Sequence, residues 1–330
     1  MLGLSASNLK EKFNKLRVLI IGDVMIDSYV WGESNRMSSE APVSIVEIKE
    51  REKRLGGAAN VALNVKSLGA KPMVCSIIGN DTYGDEFVNL LTAQQLRSDR
   101  IIRNDTRKTT VKTRVFSKNK QLLRVDEESK HEASNSETLS LKGKITHIIH
   151  EVDLIIFEDY DKGVITKELI EFTISRANSM NIPVIVDPKK QNFLNFKGVS
   201  LFKPNLKEVQ EGLGISITAD LNNLKEATKL LNEKLTHKDT LITLSDAGVF
   251  YATSAEAQII EAHKRKIVDV SGAGDTVIAV AALSYAIGLP MKEVAAIANV
   301  AGGLVCEKIG VMPIQINELL QELIRLKLIS

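Results

Sequence analysis

Residues 154–186 read LIIFEDYDKGVITKELIEFTISRANSMNIPVIV, and this stretch decides the fold of the chain. It holds a short apolar run at 154–157, a segment of helical periodicity at 167–180 and a second apolar run at 184–186. Short runs without alternating polar residues are typical of strands that are buried on both faces. A strand, a helix and a second strand of these lengths form a βαβ unit. The stretch therefore predicts an α/β fold with a parallel sheet.

The same rhythm continues on both sides of this stretch. Further buried strands are predicted by the apolar runs at 17–22, 72–78, 201–203 and 240–244. Further helices are predicted at 57–68, 83–95, 224–235, 273–287, 291–307 and 315–326. Such alternation predicts a three-layer sandwich, in which helices cover both faces of a mostly parallel sheet.

Three segments of the first half do not fit a buried parallel sheet. Residues 43–49 alternate between apolar and polar side chains, as a half-exposed strand does. Residues 112–117 and 121–125 resemble the two strands of a hairpin, with a polar turn at 118–120. We expect a small antiparallel layer with strands near 29–49 and 111–126. Because no Gly-, Ser- or Pro-rich linker divides the chain, we expect one domain over 1–330.

The composition excludes several classes of protein. The chain has 330 residues, 25% of them charged, and a formal net charge of +2, whereas a nucleic-acid or membrane-surface protein would carry a strong basic excess. We expect no nucleic-acid or membrane partner. Cys75 and Cys306 lie in apolar stretches, as buried thiols of a reducing compartment do. The N-terminus lacks the apolar region of a signal peptide, and the most apolar helix is too short to span a bilayer, so we expect a cytoplasmic protein.

A glycine-rich segment, Gly272-Ala273-Gly274-Asp275, stands at the entrance to a long apolar helix. Its glycines let the backbone turn tightly and bring consecutive N–H groups close to a ligand. With the positive end of the helix dipole, these groups would form an anion hole for a phosphate in transfer, and Asp275 could accept the proton of a reacting hydroxyl. The plainer interpretation is a first-turn carboxylate favoured by the dipole alone. Neither a P-loop nor a dinucleotide-binding glycine motif occurs.

Two shorter motifs are also consistent with substrate binding. Gly56 and Gly57 open a helix with Asn60 on its first turn, which leaves room for a polyhydroxylated ligand and supplies an amide for its hydroxyls. Asn205 and Glu208 follow a strand and lie one helical turn apart, so they could hold a water-bound Mg²⁺. Taken alone, the first motif is better explained by a tight strand-to-helix turn. The second is equally well explained by a helix cap.

Taken together and in this order, the three motifs resemble those of the ribokinase (PfkB) carbohydrate kinase family. Residues 56–60 are similar to its N-terminal signature, residues 269–276 to its C-terminal signature, and Asn205-x-x-Glu208 to its metal-associated motif. Within the family the chain is most similar to the D-glycero-β-D-manno-heptose-7-phosphate kinases. This resemblance rests on residues 22–29, 35–43, 159–163, 186–189 and 203–205. Residues 158–162 depart from the pattern, which has Ser before the Asp and Ala after the Tyr.

The resemblance implies a reaction and a set of roles. ATP·Mg²⁺ would be the phosphoryl donor and the anomeric C1 hydroxyl of the heptose phosphate the acceptor, on the route to ADP-heptose for lipopolysaccharide and other surface glycans. Asp275 would be the catalytic base, with Gly272, Ala273 and Gly274 as the anion hole. The residues expected to face the sugar are Asp23, Asp27, Gly56, Gly57 and Asn60. The residues expected to bind the nucleotide are Asn205, Glu208, Ser245 and Gly248, with Glu208 holding Mg²⁺ through water.

A phosphorylated acceptor also needs cations at its far end. The candidates are Arg36, Arg114, Arg124, Lys162 and Lys189, because Arg binds phosphate through two donors and Lys acts as a point charge. For Arg114 and Arg124, the solvated face of a hairpin is an equally good explanation. Ser245 and Gly248 would likewise suit an ordinary hairpin turn. We interpret the basic stretch 97–124 as steering of an anionic substrate.

The predicted antiparallel strands resemble the lid of the family, which closes over the sugar and in many members pairs two subunits. A lid sheet has edges to cover, so we expect a homodimer. No His-x-Gly-His nucleotidyl-transfer motif occurs, so we expect a stand-alone kinase. Two other functions stay open at this point. The chain could be another kinase of the fold, for a ketohexose phosphate, ribose or adenosine, or a catalytically silent sugar- or nucleotide-binding regulator.

Overall fold

Strands and helices alternate along most of the chain in the computed structural model, which describes residues 5–118 and 120–330. The strands are β1 (Arg17–Gly22), β2 (Val24–Met37), β3 (Ser44–Gly57), β4 (Lys71–Gly79), β5 (Ile101–Asn104), β6 (Val111–Ser117), β7 (Lys120–Glu127), β8 (Leu154–Glu158), β9 (Val184–Asp187), β10 (Leu201–Phe202), β11 (Asp239–Thr243), β12 (Val249–Ala252) and β13 (Ala257–Ile260). The α-helices are α1 (Ala6–Lys15), α2 (Ala58–Ser67), α3 (Thr82–Ala93), α4 (Asn135–Ile148), α5 (Lys167–Ser179), α6 (Leu206–Leu213), α7 (Leu221–Leu235), α8 (Ala273–Ala286), α9 (Met291–Val305) and α10 (Ile316–Arg325).

The large sheet has the strand order β13-β12-β11-β10-β9-β8-β1-β4-β5. All neighbours from β11 to β5 are parallel, and β12 and β13 add an antiparallel edge. The order reverses at β1, which lies between β4 and β8. In sheets of this kind, ligands bind in the crevice outside the carboxyl ends of the strands at such a reversal.

Helices cover both faces of this sheet because the side chains of a strand alternate between the faces. Ile20 and Ile156 face the layer that contains α2 and α8, whereas Leu19 and Phe157 face the layer that contains α4, α5 and α7. Helix α8 is apolar all round and nearly every residue from its first turn onward is buried, as expected for a helix in the centre of a layer. None of the described helices is long and apolar enough to cross a membrane.

A second sheet, here called the lid, has the strand order β3-β2-β6-β7. Strands β2 and β3 are each 14 residues long; β2 begins just after β1 of the large sheet, and β3 leads into α2, so the two strands join the lid to the rest of the fold. Tyr29, Trp31 and Phe116 stack at its base, with ring centroids 5.4–6.4 Å apart. The β2–β3 pairing then shifts register between Trp31 and Gly32.

The predicted fold class, a mostly parallel sheet with a small antiparallel lid, is confirmed. Two details differ. Strand β2 begins at Val24, earlier than predicted, because a fully buried root precedes its exposed outer half. One lid pair, β2 with β6, is parallel, because the chain passes through the large sheet before it returns to the lid. The predicted turn at 118–120 includes Asn119, which lies outside the described residues.

Candidate active site

The predicted motifs meet at the carboxyl ends of β1, β8 and β9. Gly22 pairs with Glu158, which in turn pairs with Asp187. The N-termini of α2 and α8 lie above these strand ends, on the face to which Ile156 and Ile185 also point. The crevice at the strand-order reversal is therefore lined by two helix N-termini and by carboxylates that end the strands.

Asp275, on the first turn of α8, is 3% exposed and is held by two donors. Asn60 on α2 donates its amide to Oδ2 at 2.6 Å, and Tyr160 donates its hydroxyl to Oδ1 at 2.6 Å. Burial raises the pKa of Asp275 above its ordinary value, and these two hydrogen bonds oppose that rise. The arrangement gives a desolvated carboxylate with a fixed orientation, as a general base requires.

The backbone at the start of α8 forms a tight turn. Gly272 has a φ of 77°, in the left-handed region, and a Cβ there would lie 3.0 Å from the Asn60 amide nitrogen. The N–H of Ala273 donates to the Val270 carbonyl at 3.2 Å. Within the described residues the N–H groups of Gly274 and Asp275 have no backbone acceptor. The Gly272 N–H has no backbone acceptor there either, so of the expected anion hole of Gly272, Ala273 and Gly274 only the Ala273 N–H is already bonded to the backbone.

The residues expected to face the sugar fall into two groups. Asp23 is buried, and its carboxylate accepts the backbone N–H groups of Tyr160, Lys162 and Val164 at 2.8–3.1 Å, so it fixes the loop after β8. Asp27 is also buried and accepts a hydrogen bond from Arg114 of the lid.

Gly56 and Gly57 leave the space that the Asp27 carboxylate and the Asp23 backbone occupy. A Cβ on Gly56 would lie 2.1 Å from Asp27 Oδ2, so only glycine leaves this carboxylate in place. Gly57 has a φ of 59°, and a Cβ there would lie 2.3 Å from the Asp23 carbonyl oxygen. With Asn60 on the next turn, these residues border the same side of Asp275.

The five candidate cations are not gathered in one place. Arg114 contacts Asp27, and Arg124 lies opposite Arg114 in the β6–β7 register, where its guanidinium pairs with Asp126 at 2.8 Å. Lys162 pairs with Glu128 at 2.7 Å. Arg36 is exposed, pairs with Glu47 at 3.7 Å and lies nine residues beyond Asp27 on β2. At the rise of an extended strand this is roughly 30 Å.

Lys189, the fifth candidate, belongs instead to a carboxylate–lysine cluster formed by Glu158, Asp187, Lys189, Lys203, Glu208 and Asp275. Lys203 is 2% exposed and contacts Asp187 at 2.6 Å, while Lys189 bridges Asp187 at 3.2 Å and Glu208 at 2.5 Å. Burial opposes ionisation of Asp187, but the two lysines outweigh it and lower its pKa. Burial would also lower the pKa of Lys189, but Asp187 and Glu208 raise it. Lys189 therefore stays charged.

Glu158 of this cluster is completely buried, and neither of its carboxyl oxygens has a hydrogen-bond partner among the described residues. Burial, and then the charges of Asp187 and Asp275, raise its pKa well above the ordinary value. Glu158 stands where the resembling kinases have Ser. A buried polar group without a partner is costly, so Glu158 reduces the stability of the fold.

Asn205 and Glu208 form a reciprocal capping box at the start of α6. Asn205 Oδ1 accepts the Glu208 N–H at 2.9 Å, and Glu208 Oε2 accepts the Asn205 N–H at 2.8 Å. In residues 5–118 and 120–330 no group of three or more His, Cys, Asp or Glu side chains could hold a metal ion. Mg²⁺ usually takes one or two carboxylates together with water and substrate phosphates. Glu208 and Asp187, at the edge of the crevice, fit such a partial set.

Ser245 and Gly248 form the turn between β11 and β12 at the carboxyl edge of the large sheet. Their φ angles are 56° and 97°, and a Cβ on Gly248 would lie 2.1 Å from the Ile260 carbonyl oxygen. The geometry is that of a tight hairpin, and its place at the carboxyl edge is also one where a nucleotide could bind.

Sequence reasoning assigned no role to Tyr160, Glu158 or Lys203. Tyr160 lies in a segment that supported the resemblance, and Glu158 at a position that departs from the pattern, but neither observation assigned a role. Lys203 ends a predicted strand, and polar residues at the ends of parallel strands are a signal that could have identified it. Its partner Asp187 lies on the neighbouring strand, and that pairing depends on the strand order.

Comparisons with known proteins agree with one another. A model of the pfkB family of carbohydrate kinases matches residues 15–317. The bifunctional protein HldE of Desulfatibacillum aliphaticivorans is 39% identical over 312 residues, which cover 94% of this chain and 64% of that protein. HldE of Helicobacter pylori strain HPAG1 is 37% identical over 294 residues, which cover 89% of this chain and 63% of that protein. The chain thus spans just under two thirds of the length of these relatives.

Two solved structures show the same fold. Phosphofructokinase-2 from Escherichia coli in complex with potassium has a TM-score of 0.79 at 17% identity, over 94% of this chain and 99% of that chain. Arabidopsis thaliana ribokinase complexed with ribose and ATP has a TM-score of 0.69 at 17% identity, over 93% and 98% of the two chains. At this identity the likeness concerns the architecture alone.

Proposed function

This chain belongs to the pfkB family of carbohydrate kinases, and from that premise we propose that it phosphorylates D-glycero-β-D-manno-heptose 7-phosphate at C1 with ATP. The product would be the 1,7-bisphosphate, for ADP-heptose and lipopolysaccharide synthesis. The use of ATP as donor and of a cytosolic sugar phosphate as acceptor assigns the reaction to the cytoplasm. The single observation that carries the reaction type is the buried carboxylate of Asp275 at the N-terminus of α8.

The chemistry follows from that geometry. The C1 hydroxyl gives its proton to Asp275 as its oxygen attacks the γ-phosphorus, and the bond from that phosphorus to the bridging oxygen breaks to release ADP. The free N–H groups of Gly274 and Asp275 and the positive end of the α8 dipole stabilise the negative charge of the transferring group. Asn60 and Tyr160 hold the carboxylate so that little reorganisation is needed.

Mg²⁺, when bound, neutralises charge on the donor phosphates. Glu208 and Asp187 are the residues that would hold it, directly or through water. Burial opposes ionisation of Asp187, but Lys189 and Lys203 lower its pKa, so its oxygens are available as ligands, and Lys189 also pairs with Glu208. Ser245 and Gly248, at the same edge of the sheet, are the proposed nucleotide turn.

Two lines of support favour a heptose phosphate as the acceptor. The HldE proteins are similar over nearly all of this chain. Arg114 extends from the lid to Asp27 in the crevice and Arg124 lies opposite Arg114 in the register, so two guanidinium groups, paired with Asp27 and Asp126, are the proposed partners of a distal phosphate. An unphosphorylated sugar would have no need of this charge.

We test the proposal by coupled ADP release with Mg·ATP against four acceptors: D-glycero-D-manno-heptose 7-phosphate, fructose 6-phosphate, ribose and adenosine. We expect turnover with the heptose phosphate alone, and an Asp275→Asn variant that loses roughly 10²–10⁴-fold in kcat. Turnover confined to another acceptor would show that the proposed substrate is wrong, while the proposed reaction type would stand. A fully active Asp275→Asn variant would show that Asp275 is not the catalytic base. A folded protein that turns over none of the four acceptors would favour the alternative of a sugar- or nucleotide-binding regulator.

We also propose that the lid pairs two copies of the chain. Its outer half exposes large apolar side chains, namely Met37, Val43, Ile48, Leu122, Leu123 and Val125. Strands β3 and β7 are the edges of this sheet, and exposed edges with apolar residues favour pairing with another chain. Light scattering at micromolar concentration should give the mass of a dimer. A Leu123→Asp variant should give the mass of a monomer, and a wild-type monomer would contradict the proposal.

A further inference from the structure

Tyr160 connects the proposed base to two other parts of the molecule. Its hydroxyl donates to Asp275 Oδ1 at 2.6 Å, and its backbone N–H donates to Asp23 at 2.8 Å. The residue thus connects the loop after β8 to the carboxylate on α8. Asn60 already holds the other oxygen, Oδ2, at 2.6 Å. Because donors from two different elements bind the two oxygens of Asp275, they fix the orientation of its carboxylate plane.

The ring of Tyr160 contacts two cations that come from different elements of the fold. Lys112 on β6 of the lid and Lys189 of the carboxylate–lysine cluster each place Nζ 5.4 Å from the ring centroid. Both distances lie within the range of a cation–π interaction. The ring therefore contacts both a lysine of the lid and the lysine that pairs with Asp187 and Glu208, the residues proposed to bind Mg²⁺.

The surrounding charges explain why a neutral donor suits this place. Asp275 faces Asp187 from β9 and Asp27 from β2, and Glu158 from β8 lies near Tyr160 as well. Burial, and then the charge of Asp275, raise the pKa of the Tyr160 hydroxyl well above its ordinary value, so it remains a proton donor. A hydrogen bond to the ionised form of Asp275 opposes the effect of burial and of the neighbouring carboxylates.

We propose that Tyr160 is a positioning residue for the catalytic base, which fixes the orientation of Asp275 and, through its ring, makes that orientation depend on the lid lysine Lys112. The inference rests on the proposed role of Asp275 as the base. Since Tyr160 acts through Asp275, its loss should change how Asp275 titrates and how fast it reacts, and leave ATP binding unchanged.

The test compares Tyr160→Phe with Tyr285→Phe. Tyr285 is a matched control, because its hydroxyl also donates to a carboxylate, Asp239, at 2.7 Å, but at the other end of α8. Hydrogen bonds to charged groups carry energies that correspond to roughly 10- to 100-fold in rate. We expect Tyr160→Phe to lose that much in kcat/KM for the sugar, with its acid limb moved to higher pH and KM for ATP unchanged. Tyr285→Phe should keep the wild-type profile.

A second measurement needs no turnover. The carboxyl of Asp275, labelled with ¹³C and assigned by its loss in Asp275→Asn, is titrated by NMR in the wild type and in Tyr160→Phe. We expect a higher pKa in Tyr160→Phe. An unchanged titration together with activity within twofold of wild type would overturn the inference. If the wild type is silent on every sugar, the proposed function fails, and this titration still decides the role of Tyr160.

The link to the lid is tested by a double-mutant cycle. Lys112→Met should reduce kcat/KM in the wild-type background and have a much smaller effect in the Tyr160→Phe background, because the ring can no longer transmit the contact to Asp275. Independent effects, which multiply in the double variant, would overturn the part of the inference that concerns the lid.

Discussion

Lys203→Met is the substitution whose effect follows most directly from the carboxylate–lysine cluster. The cluster holds four carboxyl groups and two ammonium groups, and Lys203 lies 2% exposed at 2.6 Å from Asp187. Its removal leaves Asp187 with Lys189 as the remaining cation of the cluster, near the carboxyl groups of Glu158 and Asp275. Loss of one partner of a buried ion pair costs about 3–5 kcal/mol.

That cost converts into a measurable change of melting temperature. The entropy of unfolding is about 2.1 cal/mol/K per residue, hence about 0.7 kcal/mol/K for a chain of 330 residues. The expected decrease in Tm is therefore about 4–7 °C by calorimetry. Because the variant cluster is more negative, Mg²⁺ should raise its Tm by more than it raises that of the wild type.

Two variants serve as controls. Lys190→Met makes the same chemical change at an exposed position close by and should leave Tm within a degree or so of wild type. The double variant Lys203→Met with Asp187→Leu removes both charges and should recover part of the loss. A decrease no larger than that of Lys190→Met, or a double variant less stable than the single one, would refute the electrostatic reasoning.

Three other perturbations have definite expected outcomes. Gly56→Ala should raise KM for the sugar at least several-fold and leave KM for ATP unchanged in steady-state assays, because the new Cβ would lie 2.1 Å from Asp27 Oδ2. Arg114→Ala should weaken binding of the sugar phosphate by calorimetry and should affect an unphosphorylated analogue far less. Burial, and then Asp23, raise the pKa of Asp159 to about 7, so its contribution to stability is complete below its unfolded pKa of about 3.9 and is lost as pH rises through 7. Between pH 5 and 7 the free energy of unfolding of Asp159→Asn should fall less steeply than that of the wild type, with a difference of about 1.4 kcal/mol per pH unit. Equal slopes for the two proteins in denaturant unfolding would contradict this.

Much of the fold could be predicted because local signals were unambiguous. The apolar runs at 18–21, 154–157 and 184–186 in β1, β8 and β9 contain no polar residue, and such runs form buried strands in a parallel sheet. The glycines at 56–57 and 272–274 marked the helix N-termini that border the site. Strand β2 was missed over its first residues because its buried root and exposed outer half differ in periodicity. Helix α4 was missed although Ser134 and Glu137 form a capping box at its start.

The remaining parts of the site depend on contacts that no local pattern contains. Lys203 and Asp187 meet because β9 and β10 are neighbours in the sheet, and Tyr160 reaches Asp275 across 115 positions of sequence. The positions of the candidate phosphate-binding arginines could likewise not be predicted from the sequence. A phosphate-binding role was equally plausible for Arg36 and Arg114 by residue type, yet only the register of the lid shows that Arg36 lies far out on β2.

The change of register between Trp31 and Gly32 divides the lid into two parts that tolerate amino-acid substitution to different degrees. The root carries Asp27, the Tyr29–Trp31–Phe116 stack and the glycines opposite them, so almost any replacement there alters the crevice. The outer segment between Gly32 and Ile48 contacts none of these groups in the β2–β3 register. This outer segment can therefore be replaced without changing the residues of the crevice. Outer segments from related chains could be grafted at this boundary to change assembly while substrate selectivity is inherited from the root.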